Sequence, residues 1–176
     1  NVVPSGKRLL YAVDVSGSMD GGMVAGTSMT PSEAAAALAL VALHTEPHAD
    51  VIAFGTDVST LGMSKRQRLD DAVRATKVPC AGTDCNAPIA WASKGRHEYD
   101  GIAILTDSET WAGSQHPAAG MQSYRSRVSN GARLSIVAMV ANEFTVAAPD
   151  DPLSLDVVGF DASAPSILGA FFRGDV

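Results

Sequence analysis

Cysteine, histidine and long apolar runs are all scarce in this 176-residue sequence, and each shortage removes a class of protein. The two cysteines, Cys80 and Cys85, are too few to staple a fold of this length, so reduced thiols and a cytoplasmic setting are expected. The four histidines, His44, His48, His97 and His116, show no paired spacing for zinc. The longest uninterrupted apolar stretch, Ala34 to Leu43, falls well short of the roughly 20 residues that cross a bilayer, so no membrane partner is expected. Basic residues are in deficit as well. Thirteen Lys+Arg against 19 Asp+Glu leave a net charge of −6, whose field repels phosphate backbones and disfavours a free-standing nucleic-acid binder.

What is present is a core: 46% hydrophobic residues in a length typical of one domain, with no repeat, charge block or linker-like tract. Residues 1–176 therefore read as one domain. The chain opens Asn1-Val2-Val3-Pro4 without an initiator Met or a basic leader, and strand-like sequence follows almost at once. That reads as a chain either processed or excised from something longer, with an excised domain the favoured expectation.

Arg8 to Val15 is an apolar, β-forming run cut off by Ser16-Gly17-Ser18, which predicts a buried strand and then a loop. Thr30-Pro31-Ser32-Glu33 has the capping-box pattern with Pro at the first helical position, and an Ala-rich helix follows to about His44. Strands are predicted at Asp50–Gly55 and Asp57–Leu61, the latter antiparallel at the sheet edge. A helix capped by Ser64 to about Ala75, a loop through Gly82-Thr83-Asp84 and a short helix Ala87–Lys94 come next. Strands at Asp100–Thr106, Arg133–Val140 and Ser154–Phe160, with helices at Pro117–Val128 and Ser163–Phe172, complete the reading. The expected fold is α/β: a doubly wound, mostly parallel six-stranded sheet with one antiparallel edge strand and helices on both faces. Ligands of such sheets bind beyond the carboxyl ends of the strands, where the winding reverses.

Oxygen ligands gather in those loops. Asp14, Ser16 and Ser18 follow the first strand, Thr106-Asp107-Ser108-Glu109 follows another, and Thr83 precedes a helix. An ion that takes a few hard protein oxygens and keeps waters in an octahedron is Mg²⁺, with Mn²⁺ as a substitute. Taken alone, Asp14-Val15-Ser16-Gly17-Ser18 also reads as an ordinary turn in which Asp14 caps a backbone amide. Thr83 and Asp107 at the ends of matching elements favour the metal reading.

Asp-x-Ser-x-Ser, a mid-chain Thr and Thr-Asp, in this order, resemble the metal-ion-dependent adhesion site of von Willebrand factor A domains, whose Rossmann-like fold the resemblance implies for the whole chain. It also implies that Ser16 and Ser18 touch the ion, that Thr83 does so directly or through water, and that Asp14 and Asp107 act mostly through bound waters. An ion held mainly by neutral hydroxyls seeks an outside anion, such as an acidic protein side chain or an RNA phosphate. Leu10–Met19, Ala81–Pro88, Thr106–Gly113, His116-Pro117-Ala118, Asp150-Asp151 and Gly159-Phe160-Asp161 are similar to the A domain of the Ro ribonucleoprotein family. That closer resemblance implies a ring of helical repeats elsewhere in the parent protein, binding of Y RNA or misfolded RNA through it, and a part in RNA quality control. An extracellular adhesion domain that binds a protein carboxylate is the alternative.

The remaining candidates have blander readings. Asp84 and Glu109 are either second-sphere acids or solvated loop and cap residues. The cysteines are a redox pair or, more simply, small hydrophobes. His116 starts a helix, Trp91 is core, and Trp111 is a partner-facing candidate. Lys65, Arg66 and Arg68, and more loosely Arg125 with Arg127, read as solvated helix faces, since RNA contact wants a broader basic surface. A catalyst is not expected. Ser16 stands where a haloacid dehalogenase would need a second Asp, and there is no P-loop, Gly-x-Ser-x-Gly elbow or interpretable Cys-His pair.

Overall fold

The structure is a computed structural model that describes residues 2–78, 80, 82–107, 113–140 and 150–176. Six strands among these residues, β1 (Arg8–Asp14), β2 (His48–Phe54), β3 (Val58–Thr60), β4 (Gly101–Thr106), β5 (Arg133–Ala138) and β6 (Ser154–Val158), form one sheet in the order β3-β2-β1-β4-β5-β6. All neighbours are parallel except β2 and β3, where Phe54 faces Val58 across the edge hairpin. The chain leaves β1 toward β2 and β3, then returns to place β4 on the other side of β1. The winding thus reverses between β1 and β4.

Among the described residues, five α-helices cover the sheet: α1 (Pro31–Thr45), α2 (Leu69–Ala75), α3 (Ala87–Lys94), α4 (Pro117–Arg127) and α5 (Ala164–Arg173). Alternation along β1 sorts them into layers. Leu9, Tyr11 and Val13 point to one face, where they meet Ala34, Ala35 and Leu38 of α1 and Phe171 and Phe172 of α5. Leu10 and Ala12 point to the other, where Ile89 and Ala92 of α3 and Met121 and Tyr124 of α4 close over them. The alanines of α1 let that helix lie close against the strands. Its start is held as expected, with the Glu33 N–H donating to Thr30 Oγ1 at 3.2 Å and the Thr30 N–H to Glu33 Oε2 at 2.8 Å.

The architecture agrees with the sequence reading, and most boundaries fall within a residue or two. One helix start moved. Ser64 caps nothing, because the Gln67 side chain accepts from the Ser64 N–H at 2.7 Å and donates to the Gly62 carbonyl at 2.8 Å, closing a separate turn. The helix begins only at Leu69, so Lys65 and Arg66 sit on that exposed turn rather than on a helix face. Arg125 is also not a solvated residue: it donates to Asp151 Oδ2 at 2.6 Å and to the carbonyls of Ala132 and Leu153 at 2.7 and 3.0 Å. Trp91 is half-buried, stacked on His97 with ring centroids 4.5 Å apart. Among the described residues, no helix is long and apolar enough to cross a membrane.

Candidate metal centre

Asp14 is the last residue of β1 and Thr106 the last of β4, so the reversal point of the sheet carries both. The Asp14 carboxylate is fully buried. Its Oδ1 accepts the Ser16 N–H at 2.9 Å and its Oδ2 accepts the Thr106 hydroxyl at 2.7 Å. The cap reading of Asp14 and the metal reading are thus compatible, since the amide bond orients the carboxylate toward the loop. Beyond it a short 3₁₀ turn, Gly17–Asp20, brings Ser16 Oγ and Ser18 Oγ within 3.1 Å of each other.

The Thr83 loop is fixed to the same rim through β2. Val15 N–H continues the sheet to the Phe54 carbonyl at 2.9 Å, and the next carbonyl, of Gly55, accepts the Asp84 N–H at 2.9 Å. A side chain at position 55 would not fit, because its Cβ would lie 1.9 Å from Cys80 Sγ and 3.0 Å from the Gly82 carbonyl. Asp84 turns back onto its own loop, accepting the Asn86 N–H at 2.9 Å through Oδ1. This makes Asp84 a loop-shaping acid. Ser16, Thr83 and Asp107 are 5%, 8% and 7% exposed, whereas Ser18 lies at the surface.

The electrostatics point the same way. Burial pushes the Asp14 carboxyl up from its ordinary 3.8 to about 6, although the Ser16 N–H, the Thr106 hydroxyl and the Ser16 hydroxyl pull it down. The charge of Asp107 adds to the rise. Among the described residues no cation acts on Asp14. Two carboxylates near each other at a buried rim, flanked by hydroxyls, present the kind of hard oxygen donors that a dication takes. No three His, Cys, Asp or Glu side chains gather into a cluster among the described residues, so a metal here would be held largely by hydroxyls and waters.

Other predicted residues fall elsewhere. His116 is exposed and caps α4, its Nδ1 accepting the Ala118 N–H at 3.3 Å. Cys85 is buried, Cys80 is half-buried against Gly55, and neither forms a disulfide. Glu109 and Trp111 lie outside the described residues. The sequence reading left out the part played by Thr106, the buried hydroxyl that braces Asp14; a hydroxyl closing the otherwise apolar run Gly101–Leu105 was the available signal.

The model of the Ro60 vWA domain family matches residues 8–172. The chain belongs to this family. Within the Ro60 vWA family, it is 44% identical over its whole length to RNA-binding protein RO60 of Deinococcus radiodurans and 33% identical to RNA-binding protein RO60 of Caenorhabditis elegans. It spans about a third of those relatives, 34% of the first and 28% of the second. The crystal structure of the Deinococcus radiodurans RO (RSR) protein superposes with a TM-score of 0.92 over the whole chain, covering 36% of that protein. Proximal thread matrix protein 1 from mussel byssus, in a form with a zinc-occupied MIDAS motif, shares the fold at a TM-score of 0.61 and 11% identity, with 98% of this chain and 48% of that one covered.

Proposed function

We propose that this chain is the non-catalytic, divalent-metal-dependent ligand-binding domain of a cytoplasmic Ro-like RNA-binding protein. The observation that carries the reading is the buried pair Asp14 and Asp107 beside the touching hydroxyls of Ser16 and Ser18, at the reversal point of the sheet, with no cation acting on Asp14 among the described residues. Ser16, Ser18 and Thr83 would hold Mg²⁺, or Mn²⁺ in its place, and Asp14 and Asp107 would hold it through water. When bound, the ion supplies a positive centre for one outside anion, an acidic side chain of a protein partner or an RNA phosphate. Asp14, pinned by Ser16 and Thr106, keeps its charge aimed at the rim and orders the loop that presents the two serines. The names of the relatives support RNA as the business of the whole protein, of which this chain is about a third. There a helical-repeat ring would bind Y RNA or misfolded RNA in the service of RNA quality control.

The test is thermal unfolding in chelator and in Mg²⁺. A ligand at about 100 times its Kd stabilises the native state by about 2.7 kcal/mol, which for a chain of this size raises Tm by roughly 5–10 °C. The wild type is expected to show that rise and Asp14→Ala to lack it. No rise in the wild type, or the same rise in both, removes the reading.

A further inference from the structure

Five of the 13 Lys and Arg side chains, Arg8, Arg74, Lys77, Arg125 and Arg173, pair with carboxylates, while Lys7, Lys65, Arg66 and Arg68 lie on exposed segments. Lys94, Arg96 and Arg127 form no such pair. None of them has an ion pair or side-chain hydrogen bond among the described residues, yet they line one groove of about 540 Å³ between α3 and α4. No carboxylate lines it. In a chain of net charge −6, a groove carrying cations only is a local reversal of the field.

The groove also holds an unmet acceptor. Asn86 is 6% exposed and lines the groove, and its Oδ1 has no donor among the described residues, while its Nδ2 reaches Gln115 Oε1 only at 3.5 Å. The oxygen fits there because residue 120 is glycine; a Cβ on Gly120 would stand 1.8 Å from it. A buried acceptor left unmet costs stability, so a ligand that donates to it has something to gain. Lys94 and Arg127 sit in the last turns of their helices, where they also suit the helix dipoles. That role explains neither Asn86 nor Arg96. Arg96 takes a left-handed φ of 51°, uncommon for a residue with a side chain, just past the end of α3.

We propose that this groove binds the sugar-phosphate backbone of single-stranded RNA, with phosphates on Lys94, Arg96 and Arg127 and a ribose hydroxyl donating to the Asn86 amide oxygen as that side chain turns from Gly120 toward the groove. The assignment rests on the reading of the chain as part of an RNA-binding protein, and it adds a surface separate from the metal rim. An acidic peptide would satisfy the cations, but its side-chain carboxylates offer only acceptors to Asn86. A ribonucleotide carries anionic oxygens and a hydroxyl donor side by side. The groove starts at Asn86, three residues after Thr83, and α3 carries it about 12 Å away from the metal loop at 1.5 Å per residue.

The experiment is fluorescence anisotropy with a labelled oligouridylate, at several salt concentrations and in EDTA, so that the metal rim contributes nothing. The triple variant K94A/R96A/R127A changes only exposed side chains, and circular dichroism checks its fold. The wild type should bind at low salt, and the triple variant at least tenfold more weakly. Losing three phosphate contacts should lower the slope of log K against log salt by about 2. The deoxy oligomer of the same length should bind more weakly to the wild type, and polyglutamate should not displace the RNA.

Equal affinity and equal slope in the triple variant would overturn the groove. Binding that appears only with Mg²⁺ and disappears in Asp14→Ala would place the RNA on the metal rim, overturning the groove while leaving the proposed function standing. Equal binding of the deoxy oligomer would overturn the role of Asn86, and efficient displacement by polyglutamate would reassign the groove to an acidic peptide. A wild type that binds no RNA at low salt, with or without Mg²⁺, would overturn both the groove and the RNA reading of this chain.

Discussion

The Thr106 hydroxyl donates to Asp14 Oδ2 across 2.7 Å, joining the carboxyl ends of β4 and β1 at the point where the sheet changes winding direction. Thr106→Val keeps the shape and removes the donor from a fully buried acceptor. A loss of about 1–3 kcal/mol in stability is expected, with weaker Mg²⁺ binding because Asp14 is then held from one side only. Urea unfolding and a Mg²⁺ titration check this; an unchanged midpoint in both would mean that Thr106 is a bystander.

Metal-free protein should carry a pH signature of Asp14. Its folded-state carboxyl is raised to about 6 by burial, so the folded state binds this proton more tightly than the unfolded chain does. The group therefore favours folding most below its unfolded value of about 4, and that advantage fades as pH rises toward 6. In EDTA, the stability of the wild type relative to Asp14→Asn should fall by up to about 3 kcal/mol between pH 4 and 7, the equivalent of the move from 3.8 to about 6. A difference that stays flat with pH would contradict the buried, uncompensated carboxylate described above.

Gly55 lies under the Thr83 loop with no room for a methyl group. Gly55→Ala should cost about 1–3 kcal/mol by pushing Cys80 and the Gly82 carbonyl outward, and should weaken Mg²⁺ binding through Thr83. Adding Cys80→Ala removes the sulfur 1.9 Å from the new Cβ and should restore part of the loss. Identical Tm values for the single and double variants would show that the strain is elsewhere.

Arg125 and Asp151 are a partly buried pair, 14% and 24% exposed, that fastens α4 to the strand β6 entry. Burial raises the Asp151 carboxyl, but the Ser154 hydroxyl, Arg125 and the Leu153 N–H outweigh it and hold the group below its ordinary value. Its contribution is thus present at neutral pH and is lost as the solution is acidified below about pH 4. Asp151→Asn should destabilise the chain at pH 7, with the gap to wild type closing in acid. Arg125→Ala, which also strips donors from the Ala132 and Leu153 carbonyls, should cost more, about 2–4 kcal/mol.

Patterns confined to one segment were legible without coordinates. The strand runs, the capping box of α1 and the Asp-x-Ser-x-Ser loop each declare themselves within a few residues, and a mostly parallel, doubly wound sheet follows from alternating strands and helices. What could not be read depends on partners distant in the chain. Arg125 looks like any helix-surface arginine until Asp151, 26 residues away, is seen beside it. Thr106 reaches Asp14 across 92 residues, and Asn86 needs the missing Cβ of Gly120. The α2 start was misplaced for a local reason: Ser64 is a good cap by composition, but Gln67 uses its side chain to close a competing turn.

The central claim is that oxygens of Asp14, Ser16, Ser18, Thr83 and Asp107 hold one hard dication. Anomalous diffraction from a crystal of this chain soaked in Mn²⁺ addresses it directly. A single strong peak within bonding distance of the Ser16 and Ser18 hydroxyls, and absent from crystals of Asp14→Ala, is the predicted result. A rim without a peak, or a peak held by other side chains, would contradict it.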